Sequence, residues 1–133
     1  MADIHYFTST DLIVFHELLM TEFGGMRGIT EAGFGRLESA VAVPRAHMFG
    51  ADIFADTPSK AAALCEAIVR SHPFTDGNKR LALVVLDGFL TRHGYELTAT
   101  NDEAYAAIMA LARGELPREA LIDWVKRHLE AET

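Results

Sequence analysis

Cysteine is almost missing from this chain: Cys65 is the only one in 133 residues, so an intrachain disulfide is impossible. That fits a reducing compartment. Long apolar runs are missing too, since the longest strongly apolar stretch, Leu81 to Leu86, stops at Asp87 and is far too short to span a bilayer. Met1-Ala2-Asp3-Ile4-His5 has neither the basic region nor the apolar run of a signal peptide, so a soluble, cytoplasmic protein is expected. Positive charge is scarce: 12 Lys and Arg stand against 19 Asp and Glu, a net charge of −7. That balance argues against general attachment to nucleic acid or acidic lipid, which needs a basic face. The six histidines never pair at i, i+3 or i, i+4, so a zinc site is not expected. There is also no Gly-x-x-x-x-Gly-Lys-(Ser/Thr) phosphate loop and no calcium loop.

What is present is helical punctuation, with no internal repeat, low-complexity tract or linker, so one domain over residues 1–133 is expected. Thr8-Ser9-Thr10-Asp11 offers N-caps, and Leu12, Phe15, Leu19 and Phe23 recur at helical spacing until Gly24-Gly25, predicting a helix over 9–23. Thr30 caps a second to about Val43, with Phe34, Leu37 and Val41 on one face, and Pro44 ends it. Residues 45–56 have no helical period and predict an irregular flap or short hairpin. Thr57-Pro58 reads as an N-cap followed by a first-turn proline, opening a helix to about His72 that holds Cys65 as a packing residue. The next begins near Asp76-Gly77 and runs to Arg92 or His93, its Leu81–Leu86 stretch apolar on every side and therefore central. Asn101 caps a fifth helix, and Pro117 opens a last one with Leu121, Trp124, Val125 and Leu129 inward. The expectation is an all-α bundle of about six helices with one flap.

The chemistry concentrates in His72-Pro73-Phe74-Thr75-Asp76-Gly77-Asn78-Lys79-Arg80. The amides that open a helix lack internal acceptors and carry the positive end of the macrodipole, which makes an anion site. Gly77 lets a phosphate approach the backbone, and Lys79 and Arg80 add full charges that oppose the local dipole unless an anion is bound. Asp76 suits Mg²⁺ bridged to nucleotide phosphates, and His72 suits removal of a hydroxyl proton near neutral pH. Taken singly, each has an ordinary explanation: Asp76 an N-cap, His72 a helix-terminal histidine, Phe74 core, Asn78 a surface residue, Lys79 and Arg80 a solvated pair. Together they make a compact phosphoryl-transfer set.

The stretch resembles the Fic/Doc signature, His-x-Phe-x-(Asp/Glu/Asn)-(Gly/Ala)-Asn-(Gly/Lys)-Arg, at His72, Phe74, Asp76, Gly77, Asn78 and Arg80. Lys79, and Leu83 where the adenylylating branch has a second arginine, agree instead with the Doc ("death on curing") branch of toxin–antitoxin toxins. The Thr10-Asp11-Leu12-Ile13 helix, the Gly24-Gly25-Met26-Arg27-Gly28 turn, Arg70 and the length extend the similarity over nearly the whole chain.

The resemblance implies His72 as general base, Asp76 as the Mg²⁺ ligand, and Gly77, Asn78, Lys79 and Arg80 as phosphate-binding residues, with Arg70 a supporting cation. It implies ATP bound with the γ-phosphate presented to a Ser or Thr hydroxyl of a translation factor, elongation factor Tu being the family's target. Residues 45–54 would dock the target by strand addition. No inhibitory (Ser/Thr)-x-x-x-Glu-(Gly/Asn) helix is present, so restraint would come from a cognate antitoxin whose C-terminal segment lies in a surface groove. Three readings stay open: a Doc-type kinase toxin, a Fic-type adenylyl transferase, and a non-catalytic helical module with a vestigial motif.

Overall fold

The structure is a computed structural model that describes residues 3–132; Met1, Ala2 and Thr133 lie outside it, and with them the start of the N-terminal pentapeptide and the ends of the expected 1–133 unit. Six helices carry the fold: α1 (Ser9–Phe23), α2 (Glu31–Ala42), α3 (Thr57–Ser71), α4 (Asn78–Arg92), α5 (Asn101–Ala112) and α6 (Arg118–Arg127). A 3₁₀ turn, Val43–Arg45, follows α2 because Pro44 tolerates the tighter turn but not a continued α-helix. The flap is a minimal antiparallel hairpin of β1 (His47–Met48) and β2 (Ala51–Asp52).

The helix starts follow from local chemistry. Thr8 and Asp11 form a reciprocal capping box: Thr8 Oγ1 accepts from the Asp11 N–H at 3.1 Å, and Asp11 Oδ2 accepts from the Thr8 N–H at 2.8 Å. Thr100 and Glu103 repeat it at α5, so Thr100 rather than Asn101 holds the cap. At α3 the cap is Asp56, whose carboxylate accepts from the Ser59 N–H at 2.8 Å; Thr57 moves one position inside. A carboxylate satisfies the orphan amide and meets the helix dipole with a full charge, which a hydroxyl does not.

α3 and α4 pack against each other at the centre, with the remaining helices around them. Ala61, Ala62 and Ala63 are fully buried, so the α3 backbone sits close to its neighbours, and Ile68, Leu81, Val85, Leu86 and Phe89 fill the centre at 0% exposure. Each buried side chain of that size contributes about 1.5–3 kcal/mol.

Several expectations are corrected. Phe34 is 40% exposed, because α2 turns only its Gly33, Leu37, Ala40 and Val41 stripe inward. In α4, Val84 is exposed in a surface groove, and Leu83 packs against the core on one side while lining that groove on the other. Trp124 is half-buried and stacked on His128 at 4.4 Å. Leu129 lies beyond the end of α6, in β4 (Leu129–Ala131), which pairs antiparallel with β3 (Tyr95–Leu97).

Candidate active site

Residues 72–77 connect the two central helices. His72 ends α3 in the left-handed region, φ 50° and ψ 60°, immediately before Pro73. A non-glycine residue there costs roughly 1–2 kcal/mol, and a following proline disfavours helical backbone further. Such strain persists only where neighbouring contacts fix it.

Asn78 supplies most of those contacts. Its Oδ1 accepts from the Phe74 N–H at 3.0 Å, and its Nδ2 donates to the Phe74 carbonyl at 2.8 Å and reaches His72 Nδ1 at 3.1 Å. The Phe74 pair fixes which end of the amide is which, so the second Nδ2 hydrogen points at His72. Nδ1 therefore accepts, and the neutral imidazole carries its own proton on Nε2. Asn78, expected to grip phosphate, has its side chain occupied within the loop; its backbone N–H is what it can offer an anion.

A second brace comes from below. His16, buried on α1, stacks flat on Phe74 at 3.8 Å and donates from Nε2 to the Asp76 carbonyl at 2.7 Å. A third comes from the α1–α2 loop, where the Met26 N–H donates to Asp76 Oδ2 at 3.1 Å and the Gly28 carbonyl accepts from Thr75 at 3.0 Å. Glycine is required at two of these contacts. A Cβ on Gly25 would stand 2.8 Å from Asp76 Oδ2, and one on Gly77 would stand 2.5 Å from Met20 Cε, both with positive φ.

The Asp76 carboxylate is thus aimed by the loops and does not cap α4. Hydrogen bonds from the Met26 and Gly77 amides hold it below the usual carboxylate range, with the nearby charge of Arg80 adding to the effect. It is ionised at neutral pH, and each oxygen keeps a free lone pair. No cluster of three or more His, Cys, Asp or Glu suited to a metal occurs among the described residues. One carboxylate fits Mg²⁺ held mainly by nucleotide phosphates, which is how that ion is usually bound.

α4 opens without a side-chain cap. Gly77 occupies the cap position, and its carbonyl accepts from the Leu81 N–H at 2.9 Å, leaving the amides of Asn78, Lys79 and Arg80 ahead of the first intrahelical bond. These groups face a cleft of about 260 Å³ shared by His72, Asp76, Gly77, Asn78, Lys79, Arg80 and Tyr105. The Arg80 guanidinium lies over Phe23 at 4.2 Å, which accounts for that exposed aromatic at the end of α1.

Six of the seven expected site residues therefore share one cleft, and Arg70 does not. It pairs with Glu66 at 3.3 Å and lines a different cleft, between α2 and α3. Sequence reasoning missed His16, Tyr105 and the Met26 amide. A signal for His16 was available, since it stands among Leu12, Leu19 and Met20 on the buried stripe of α1.

The family model described as "Fic/DOC family" matches residues 6–90. "Toxin Doc" of Mycolicibacterium smegmatis (strain ATCC 700084 / mc(2)155) is 39% identical over 80 residues, 60% of each chain, so the chain spans less than two thirds of that relative. "Protein kinase doc" of Escherichia phage P1 is 27% identical over 124 residues, covering 93% of this chain and 95% of the phage protein.

Proposed function

The chain belongs to the Fic/DOC family, and from that premise we propose that it is the toxin of a toxin–antitoxin pair and a protein kinase. The reaction is transfer of the γ-phosphoryl group of ATP to a Ser or Thr hydroxyl of a translation factor, elongation factor Tu being the expected target. Translation and growth stop as a result. The observation that carries the reading is the single cleft in which His72, an ionised Asp76 and the uncapped end of α4, bearing Lys79 and Arg80, converge. The name of the phage relative, matched over nearly its whole length, supports the kinase branch.

In this reading the α4 amides, Lys79 and Arg80 hold the phosphates and take up the charge that builds as the bond between the γ-phosphorus and the β–γ bridging oxygen breaks. His72 removes the proton of the attacking hydroxyl, whose oxygen bonds to the γ-phosphorus as ADP leaves. For Nε2 to accept that proton, the ring's own proton must reside on Nδ1. His72 therefore acts in the tautomer protonated on Nδ1, which gives up the bond from Asn78 Nδ2. When bound through Asp76, Mg²⁺ would neutralise phosphate charge.

Restraint comes from a cognate antitoxin in the cytoplasm. A groove of about 1410 Å³ beside the cleft, lined by the apolar Leu19, Leu83 and Val84 and by the acidic Asp87, Asp102 and Glu130, is the proposed seat of the antitoxin's C-terminal helix.

The test uses antitoxin-free protein, the translation factor and ATP labelled on either the α or the γ phosphorus. Label should pass from γ only. Transfer from α would make the protein an adenylyl transferase, and no transfer from either would leave a partner-binding module. His72→Ala should lower the rate by about 10²–10⁴ with the melting temperature retained, and Asp76→Ala should remove both activity and its magnesium dependence.

A further inference from the structure

The cleft that holds Arg70 belongs to neither the catalytic loop nor the proposed antitoxin groove. It has a volume of about 670 Å³, is formed by α2, α3 and the start of α6, and contains no residue of α4. It is lined by small residues, among them Gly35, Ala40 and Ala67, and by Arg36, Arg70 and Arg118.

The charge of this cleft runs against that of the molecule. The one carboxylate within it, Glu66, is buried and serves two of the arginines, Arg118 at 2.8 Å and Arg70 at 3.3 Å. Arg36 pairs with no carboxylate among the described residues; its Nη2 lies 3.5 Å from the His72 carbonyl. Three guanidiniums against one carboxylate leave two positive charges uncompensated, on a chain whose net charge is −7. All three cations are arginine, the side chain whose planar fork matches carboxylates in pairs.

The cleft reaches both the His72 loop and the base of the flap. Arg36 abuts the backbone of His72, and Arg118 lies over Phe54, at the base of the flap, at 5.2 Å. A volume of this order exceeds what a single small anion fills.

We infer that this cleft docks an acidic segment of the protein substrate, its carboxylates on Arg36, Arg70 and Arg118, while a neighbouring hydroxyl is presented to His72. The assignment rests on the phosphotransfer reading for what the docked protein is. The docking itself is read without turnover, so its failure and the failure of that reading are separate results.

The probe is a fluorescein-labelled hexaglutamate peptide, titrated at low and high salt by anisotropy. Wild-type protein should bind it in a salt-sensitive manner, and a hexaglutamine peptide should not bind. The Arg36→Glu/Arg70→Glu variant, altered at two exposed positions, should lose affinity by about tenfold or more and acquire affinity for a hexalysine peptide, with an unchanged circular dichroism spectrum. Lys79→Glu/Arg80→Glu should bind hexaglutamate as wild type does. Equal binding of glutamine and glutamate peptides would overturn the proposal. So would loss of binding only in the Lys79/Arg80 variant, or displacement by inorganic phosphate at equimolar concentration, which would mark a small-anion site.

Discussion

At the scale of single residues, Asn78 is where letter and role part. A polar residue at the first turn of a helix beside Gly77, Lys79 and Arg80 invites a phosphate contact, yet its amide closes the loop on Phe74 and sets the His72 proton on Nε2. What the pattern of letters reveals is that these residues gather. It does not reveal which way a planar amide faces, because that depends on the backbone of Phe74 being turned inward. The two roles predict different outcomes. Asn78→Ala leaves a buried N–H and a buried carbonyl of Phe74 unpaired and should lower stability by about 1–3 kcal/mol, read from the midpoint of urea unfolding, as well as slowing transfer. Lys79→Ala should slow transfer with stability within about 0.5 kcal/mol of wild type. An unchanged midpoint for Asn78→Ala would return that residue to the phosphate.

At the scale of elements, the flap needs explaining, since a lone two-stranded hairpin is marginal in water and every strand residue of this one is exposed. Its turn is local: Phe49 and Gly50 both take positive φ, 54° and 79°, as a tight hairpin turn requires. Its base is held from α3. Lys60, 1% exposed, donates from Nζ to the Pro44 carbonyl at 3.1 Å and to Asp52 at 3.0 Å. Burial alone would lower its pKa, but interactions with Tyr6 and Asp52 outweigh that and raise it, so the tether stays charged. In the sequence Lys60 looks like a surface lysine near a helix start, because a buried partner 16 residues away leaves no periodic trace. The β3–β4 pair escaped for the same reason: its strands are three residues each and lie on either side of two helices. The six helices were legible because caps and apolar stripes are local. Lys60→Met keeps the volume and removes both bonds. The Ile53 amide, bonded to Ala46 at 3.0 Å across the hairpin, should then exchange at least about tenfold faster by hydrogen–deuterium exchange, while amides of α3 and α4 keep their protection. Unchanged exchange at Ile53 would show that the flap does not depend on this lysine.

At the scale of the molecule, the −7 charge is visible in composition, but its consequence for stability depends on where individual carboxylates sit. Bonds from Ser59 and the charge of Lys126 lower the pKa of Asp56 despite burial, amides of Met26 and Gly77 lower that of Asp76, and the Thr100 amide lowers that of Glu103. Each is bound more tightly as carboxylate in the folded chain than in the unfolded one. Each therefore contributes stability above the unfolded pKa of about 4 and loses it as pH falls through the lower folded value. Asp87, which lines the groove, acts the other way: partial loss of water around it and then Glu96 raise its pKa, so its ionisation opposes folding as pH rises through that value. Three helix-end and loop carboxylates act against one, so the expected direction is a loss of stability in acid. The melting temperature should be nearly level from pH 7 to about 5 and fall steeply below about 4, measured by circular dichroism at constant ionic strength. Asp87→Asn should raise it at pH 7, with the gain fading as the medium becomes acidic enough to protonate the wild-type side chain. A melting temperature that climbs between pH 5 and pH 3 would mean that self-repulsion of the acidic surface, relieved by protonation, outweighs the caps and the 72–77 loop together.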